Sequence, residues 1–340
     1  VSHGVALDTA PMLAKAVPTV PEGDYLYEPK WDGFRCLVHR DGDEVHLMSR
    51  SGKPLGRYFP EIEASARAVL PSRIVLDGEL VVAVDDRLEW DALSSRVHPA
   101  ESRVQRLAQE IPARFVAFDL LAFDEHSVID RPFSERRALL LEALSRTDDP
   151  TWSVTAATTD PAVAREWFEL FEGAGLDGVV AKPADGRYEP GKRSMLKIKH
   201  KRAADVVVTG YRLHKQSTDE QPMIGSLQLS LFDDGEFVQV GGAGAFSVAQ
   251  RRALVDELAE LVDGISSGEL NRWSASKNTD WVRLRPERVA EVGYDQLEHR
   301  RFRHTGNFLR WRPDREPTSC TFDQLDVPVT YSLNDVLAID

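Results

Sequence analysis

The 340-residue chain is expected to fold as α+β, an antiparallel-sheet domain with peripheral helices followed by a small β-barrel of the OB type. Three observations lead there. The first two hundred residues hold short strands joined by turns, not alternating strand–helix units. The character of the chain changes around His200 to Ala204. Beyond that point come five strands and one helix, the inventory of a small closed barrel, which sequence alone does not separate from other small barrels.

In order, Tyr25-Leu26-Tyr27 leads into a polar stretch, Cys36-Leu37-Val38 is a strand, and Asp41-Gly42-Asp43 is a hairpin turn before Val45–Met48. Pro60 opens a helix through Ala64, Ala68 and Leu70. Ile74–Val82 is an apolar run broken by Asp77-Gly78-Glu79, and Arg114–Phe123 is a further strand. Helices are expected over Pro132–Ser145 and Ala162–Gly173, and short strands at Gly178–Ala181 and Met195–Lys199. The barrel strands are Val206–Val208, Leu227–Leu231, Phe237–Val240, Arg288–Tyr294 and Phe308–Trp311, with Asp233-Asp234-Gly235 as a turn and a helix over Val248–Val262. The length suffices for two cores, and the domains are expected to be 1–200 and 201–340.

Composition narrows the function. A formal net charge of −13 argues against a protein that coats nucleic acid indiscriminately. Cations are nevertheless concentrated in two stretches, Arg187 to Lys215 and Arg300 to Arg315, so a nucleic-acid substrate stays open. Neither stretch excludes a merely solvated, charge-rich face. Cys36 and Cys320 lie far apart without metal-ligand spacing, and the histidines form no HxxxH pattern, which argues against structural zinc and for a reduced protein. No apolar run approaches the roughly 20 residues of a membrane span. Val1 to Ala10 lacks the regions of a signal peptide, so a cytoplasmic location with no membrane partner is expected.

The chemistry centres on Lys30 in Glu28-Pro29-Lys30-Trp31-Asp32-Gly33-Phe34-Arg35. A lysine that attacks phosphorus has to be unprotonated, which neighbouring cations or desolvation favour. Arg35 would add positive charge, and Gly33 would let the backbone come close. Further polar clusters follow at strand ends: Ser49-Arg50-Ser51-Gly52-Lys53, Asp77-Gly78-Glu79, Phe118-Asp119, Asp177-Gly178-Val179-Val180, and Lys197 with Lys199. A buried acid such as that in Asp77–Glu79 needs a partner, for which a ribose hydroxyl would serve. Asp177 could hold a divalent ion, and Lys197 and Lys199 share one face of a strand. Each cluster has a plainer reading. Glu79 could pair with a core arginine, Phe118 could be ordinary core, Asp177 could cap a turn, and the two lysines could guard an edge strand. The ordered set is what those readings do not explain.

In that order the clusters resemble the motifs of ATP-dependent DNA ligases of the covalent nucleotidyltransferase superfamily, the short bacterial LigC-type enzymes and the ligase module of bacterial end-joining enzymes in particular. The likeness extends to Gly225–Phe246 and Phe308–Arg315 and covers almost the whole chain. It implies an ATP-grasp-like adenylation domain followed by an OB-fold domain. It implies that Lys30 takes AMP from ATP, with Mg²⁺ or Mn²⁺, and passes it to the 5′-phosphate of nicked double-stranded DNA. Glu79 would bind the ribose, Phe118 would stack on adenine, and Glu28 would read the base or shape its pocket. Arg35 and Arg50 would hold phosphate, Lys197 and Lys199 would neutralise the α-phosphate, and Asp32 would orient the lysine. Asp177, with Glu79, would bind the metal, and Arg312, Asp314 and Arg315 would orient the pyrophosphate when the second domain closes about a hinge near His200–Ala204. The resemblance also implies a nucleoid-associated, monomeric, minimal two-domain repair enzyme, with DNA repair proteins as partners. Two positions depart from the pattern: Asp177 replaces the common glutamate, and Arg315 a common lysine. A capping guanylyltransferase, an RNA ligase and a catalytically silent binding module are the alternatives.

Overall fold

The structure, a computed structural model, describes residues 4–266, 281–298, 300–326 and 328–338. They fall into two compact units, one running to Lys199 and including the segment from Pro328 onward, the other running from His200 to Val327. The expectation that everything beyond residue 201 joins the barrel is therefore corrected. The end of the chain packs on the first unit because it carries its own apolar face. Leu333 and Val336 are buried beside Phe171, Trp167 and Leu176, and the Tyr331 ring lies 5.3 Å from that of Phe171. The Leu333 and Asn334 N–H groups donate to the carbonyl and carboxylate of Asp86.

In the first unit, the strands β1 (Ala14–Ala16), β2 (Tyr25–Pro29), β3 (Phe34–Asp41), β4 (Glu44–Ser49), β5 (Arg73–Val81), β6 (Arg114–Phe123), β7 (Trp152–Val154), β8 (Val179–Pro183) and β9 (Met195–Ile198) form two sheets. One is ordered β1-β9-β8-β2, and the other β7-β6-β5-β3-β4. Most pairings are antiparallel, while β1 with β9 and β7 with β6 are parallel. The turn expected at Asp41–Asp43 joins β3 and β4, with Gly42 at φ +61°. Helices α1 (Pro60–Val69), α2 (Trp90–Ser95), α3 (Glu101–Glu110), α4 (Phe133–Leu144) and α5 (Pro161–Leu170) surround the sheets. Pro161 opens α5 and the Asp160 carboxylate accepts from Ala162 N–H, so this end is set by local sequence.

The second sheet is buried on both faces, and strand alternation decides what each face meets. Cys36, Val38, Ile74 and Leu76 pack with Ile62 and Ala66 of α1 and Leu140 and Leu144 of α4. Leu37, Val75 and Leu121 point the other way, toward Met12, Tyr188 and Met195. The functional residues of β3 and β5 keep that second phase: Arg35, Asp77 and Glu79 differ from Leu37 and Val75 by even steps.

The second unit is a closed barrel. Strands β10 (Arg202–Leu213), β11 (Ile224–Asp233), β12 (Glu236–Gly244), β13 (Val262–Ser266), β14 (Trp281–Tyr294) and β15 (Gly306–Trp311) are ordered β10-β11-β12-β15-β14-β13. Pairing of β10 with β14 closes the ring. The helix α6 (Val248–Leu258) lies between β12 and β14 in the chain, the arrangement of an OB fold. The Asp233–Gly235 turn joins β11 and β12 with Asp234 and Gly235 both at positive φ. Helix α6 begins at a capping box of Ser247 and Gln250 and ends earlier than expected, because Val262 is taken into β13 opposite Leu284. Among the described residues no helix is long and apolar enough to cross a membrane.

Candidate active site

Lys30 is placed by two backbone hydrogen bonds. Its N–H donates to Gly178 O (2.8 Å), and its own carbonyl accepts from Asp177 N–H (2.9 Å), which prolongs the β2–β8 ladder by one step. The two side chains therefore emerge side by side, and Lys30 Nζ lies 2.6 Å from Asp177 Oδ2. Lys199 Nζ reaches the same oxygen at 2.6 Å. The glycine after Asp177 is required, since at φ +128° a Cβ on Gly178 would strike the Ile198 carbonyl. Asp177 is buried, and two ammonium groups close on its carboxylate.

Lys197 projects from β9, which is paired on both sides, with Ala16 of β1 and Val180 of β8. An internal strand needs no guard against aggregation, so the edge-strand reading of the two lysines is excluded. Burial, followed by the Lys30 and Lys199 ammonium groups, lowers the Lys197 pKa. Glu79 sits on β5 opposite Arg35, with Gly33 N–H bonding to its carboxylate. Burial pushes the Glu79 carboxyl up to about 7, against the opposing pull of Arg35 and Lys30.

The residues converge on a cavity of about 360 Å³, in the range of small-molecule sites, roughly 300–1,000 Å³. Glu28, Lys30, Arg35, Arg50, Glu79, Phe118 and Lys197 line it. The sequence-predicted set is thus largely brought together, with Asp177 and Lys199 attached through the Lys30 ion pair. Asp32 lies between β2 and β3 and does not line the cavity, and the carboxylate placed against Lys30 Nζ is that of Asp177. Arg312, Asp314 and Arg315 belong to the barrel unit. There Arg312 bonds to Asp205 (2.9 Å) and Asp314 (2.8 Å), and Arg315 pairs with Asp205 (3.2 Å). The Arg312 contact holds the Asp314 carboxyl down at about 2.

Two assignments change in detail. Arg35 is expected to hold phosphate, yet its Nε and Nη2 fork onto the carboxylate of Asp77 at 2.5 and 2.6 Å, so its Nη1 is what is left for a ligand. Phe118 is expected to stack on adenine, and its ring already carries Arg35 Cζ at 4.3 Å and Lys182 Nζ at 4.8 Å from its centroid. Glu28 makes a buried ion pair with Lys182 (2.7 Å), with Arg137 at 3.4 Å. Burial raises the Glu28 pKa and lowers that of Lys182.

Sequence reasoning missed Lys182, Asp77 as the partner of Arg35, and Met12 and Arg193 on the cavity wall. Lys182 was within reach: it follows Val180 by two on β8, so both face the cavity, which both line. Among the described residues no three acidic, histidine or cysteine side chains form a ready-made cation cage. Mg²⁺, however, keeps several waters and takes one or two carboxylates together with substrate phosphates. Asp177 and Glu79, the two carboxylates that act on Lys30, match that need in number.

Residues 10–199 match the family described as ATP dependent DNA ligase domain, and residues 220–315 match the ATP dependent DNA ligase C terminal region. The chain belongs to the ATP-dependent DNA ligases. This ligase is 51% identical to DNA ligase C of Mycobacterium tuberculosis over 96% of each chain. It is 52% identical to DNA ligase C1 of Mycolicibacterium smegmatis, again over 96% of each. Its fold is like that of a solved Lig E DNA ligase, with a TM-score of 0.59 at 20% identity over 89% of this chain and 99% of the other. As a member of its family, the ligase uses ATP and binds DNA.

Proposed function

We propose that this ligase seals nicks in duplex DNA through a lysyl-AMP on Lys30 and a DNA-adenylate. The observation that carries the reading is the lysine itself. Lys30 Nζ stands at the wall of a nucleotide-sized cavity, with a carboxylate 2.6 Å away and further cations around it. In the first step the Lys30 amine forms a P–N bond to the α-phosphorus of ATP as the bond to the β-phosphate oxygen breaks and pyrophosphate leaves. The proton that the amine gives up has an acceptor within reach in Asp177. Lys197, Lys199 and Arg50 offset the charge that builds on the phosphoryl oxygens. In the second step a 5′-phosphate oxygen takes the AMP and the P–N bond breaks. In the third, the 3′-hydroxyl oxygen attacks that 5′-phosphorus and AMP departs.

Glu79 accepts hydrogen bonds from the ribose, and Phe118 with Val180 forms the base-binding walls. Asp177 and Glu79 would hold a divalent cation, Mg²⁺ or Mn²⁺, whose chemistry is to neutralise phosphate charge. Arg312, Asp314 and Arg315 act on the pyrophosphate if the barrel closes. The link at His200–Ala204 is the expected hinge. Repair of breaks, with repair proteins as partners, is the process this activity serves.

The test is labelling with α-labelled ATP and Mg²⁺ or Mn²⁺, wild type against Lys30→Ala, followed by a chase with nicked duplex. Label on the wild type alone, lost as strands are sealed, is the expected result. Label from GTP would move the chain to the capping enzymes, and no label from either nucleotide would leave a binding module.

A further inference from the structure

Behind the cavity, one phenol joins three separate parts of the chain. Tyr188 is buried, with its Oη donating to Asp77 Oδ2 (2.6 Å) and accepting from Met12 N–H (3.0 Å). Asp77, fully buried, also accepts the fork from Arg35. Arg35 Nη2 in turn reaches the Met12 carbonyl at 3.4 Å. Tyr188, Asp77, Arg35 and Met12 thus form a closed ring of hydrogen bonds. Pro11, Met12 and Arg35 line the cavity, whereas Tyr188 does not.

We propose that Tyr188 is a positioning residue of the adenylylation site, whose hydroxyl holds both the Arg35 guanidinium and the Pro11–Met12 wall in the arrangement that receives the nucleotide. This rests on the ligase reading above. Proton-transfer chemistry is not open to the phenol, since it is off the cavity, and burial and then Asp77 raise its pKa well above the usual value. Its removal has a specific consequence. The Met12 N–H would be left buried and unpaired, a costly state that the wall relieves by moving. Leu13 would stay, because its N–H donates to Lys192 O (2.7 Å) and its carbonyl accepts from Met195 N–H. The displacement would fall on Pro11 and Met12, and Arg35 would lose a brace on the carboxylate that orients it.

The test uses the full chain with Tyr188→Phe, which keeps the ring against Arg136 (5.8 Å) and deletes only the hydroxyl. Single-turnover formation of the labelled lysyl-AMP is followed against ATP concentration. The expected result is a half-saturating ATP concentration raised about tenfold, with the limiting rate changed less than about threefold. In an Arg35→Ala background, adding Tyr188→Phe should still weaken equilibrium binding of ATP, but by less than it does in the wild type, because only the Pro11–Met12 wall is then left to move. Leu144→Ala, a core truncation on the other face of the sheet, supplies the control for general destabilisation. A Tyr188→Phe protein with unchanged half-saturation overturns the proposal, as does a Leu144→Ala protein that moves it equally. No label on the wild type would instead remove the ligase reading, and the proposal with it.

Discussion

Lys182→Met should unfold the first unit early, and the structure says by how much. The Lys182 ammonium is 3% exposed, 2.7 Å from Glu28 Oε2 and 2.8 Å from the Phe118 carbonyl. Breaking a buried pair by removing one partner costs about 3–5 kcal/mol, because the other charge stays behind uncompensated. Arg137, still 3.4 Å from Glu28, argues for the lower end, about 3 kcal/mol. At about 2–4 °C per kcal/mol for a unit of this size, the midpoint should fall by roughly 6–12 °C. Thermal scans read by emission report it, since Trp31, Trp90, Trp152 and Trp167 all lie in this unit. The pH dependence has a definite sign. Burial already raises the Glu28 pKa, and loss of Lys182 raises it further, so the variant gains stability by binding a proton at low pH and loses it as pH rises through the folded-state value. The defect should therefore be smaller at pH 5 than at pH 8. Adding Glu28→Gln to Lys182→Met should recover more than half of the loss. A drop under about 1 kcal/mol, or strictly additive losses, would refute the argument.

Four other outcomes are expected. With ATP well below saturation, adenylylation should rise between pH 6 and 8 with a midpoint near 7 as Glu79 ionises, and Glu79→Gln should flatten that limb. The raised Glu79 value also means that its contribution to stability is present below its unfolded-state pKa and lost as pH climbs to about 7, which urea titrations across that window would register. Asp177→Asn keeps the shape but removes the anchor of Lys30 and Lys199, and single-turnover adenylylation should fall by about 100-fold or more. Gly173→Ala places a Cβ against the Val329 carbonyl and the Tyr331 N–H, so the C-terminal segment should detach and become sensitive to carboxypeptidase while wild type resists.

What the sequence disclosed and what it hid divide along physical lines. Turns were legible because they rest on local backbone needs, as at Gly42 and at Asp234-Gly235 with their positive φ. The strand Arg114–Phe123 was legible as a short, near-continuous apolar run, and it is buried along almost its whole length. The motif residues that reach the cavity were legible as an ordered set. Helices α2 and α3 were not expected, since neither is introduced by a side-chain cap and the stretch before Ile111 is polar. Pairings across long sequence distance were hidden altogether. Arg35 meets Asp77 only because β3 and β5 lie side by side in one register, and Tyr188 reaches Asp77 from 111 residues further on. The packing of Leu333 and Val336 on the first unit, after the chain has passed through a whole barrel, is of the same kind.

In the reaction proposed above, the cations around Lys30 have a use besides binding. A phosphate brought beside an amine favours the ammonium, which cannot attack. ATP therefore opposes, by its own charge, the reaction that it enters. One carboxylate, Asp177, is shared by Lys30 and Lys199, while Lys197 and Arg50 stand at a cavity whose acidic lining residues are Glu79 and Glu28, the latter paired with Lys182. The local balance is positive before the nucleotide arrives. Lys197, which burial and its two lysine neighbours hold below its ordinary pKa, is favoured in its charged form by an incoming anion. In the reaction proposed above the triphosphate is then neutralised by groups other than the nucleophile, and Lys30 is left to give up its proton to Asp177. On that reading, the positive charge of the cluster is what keeps the substrate from silencing its own nucleophile.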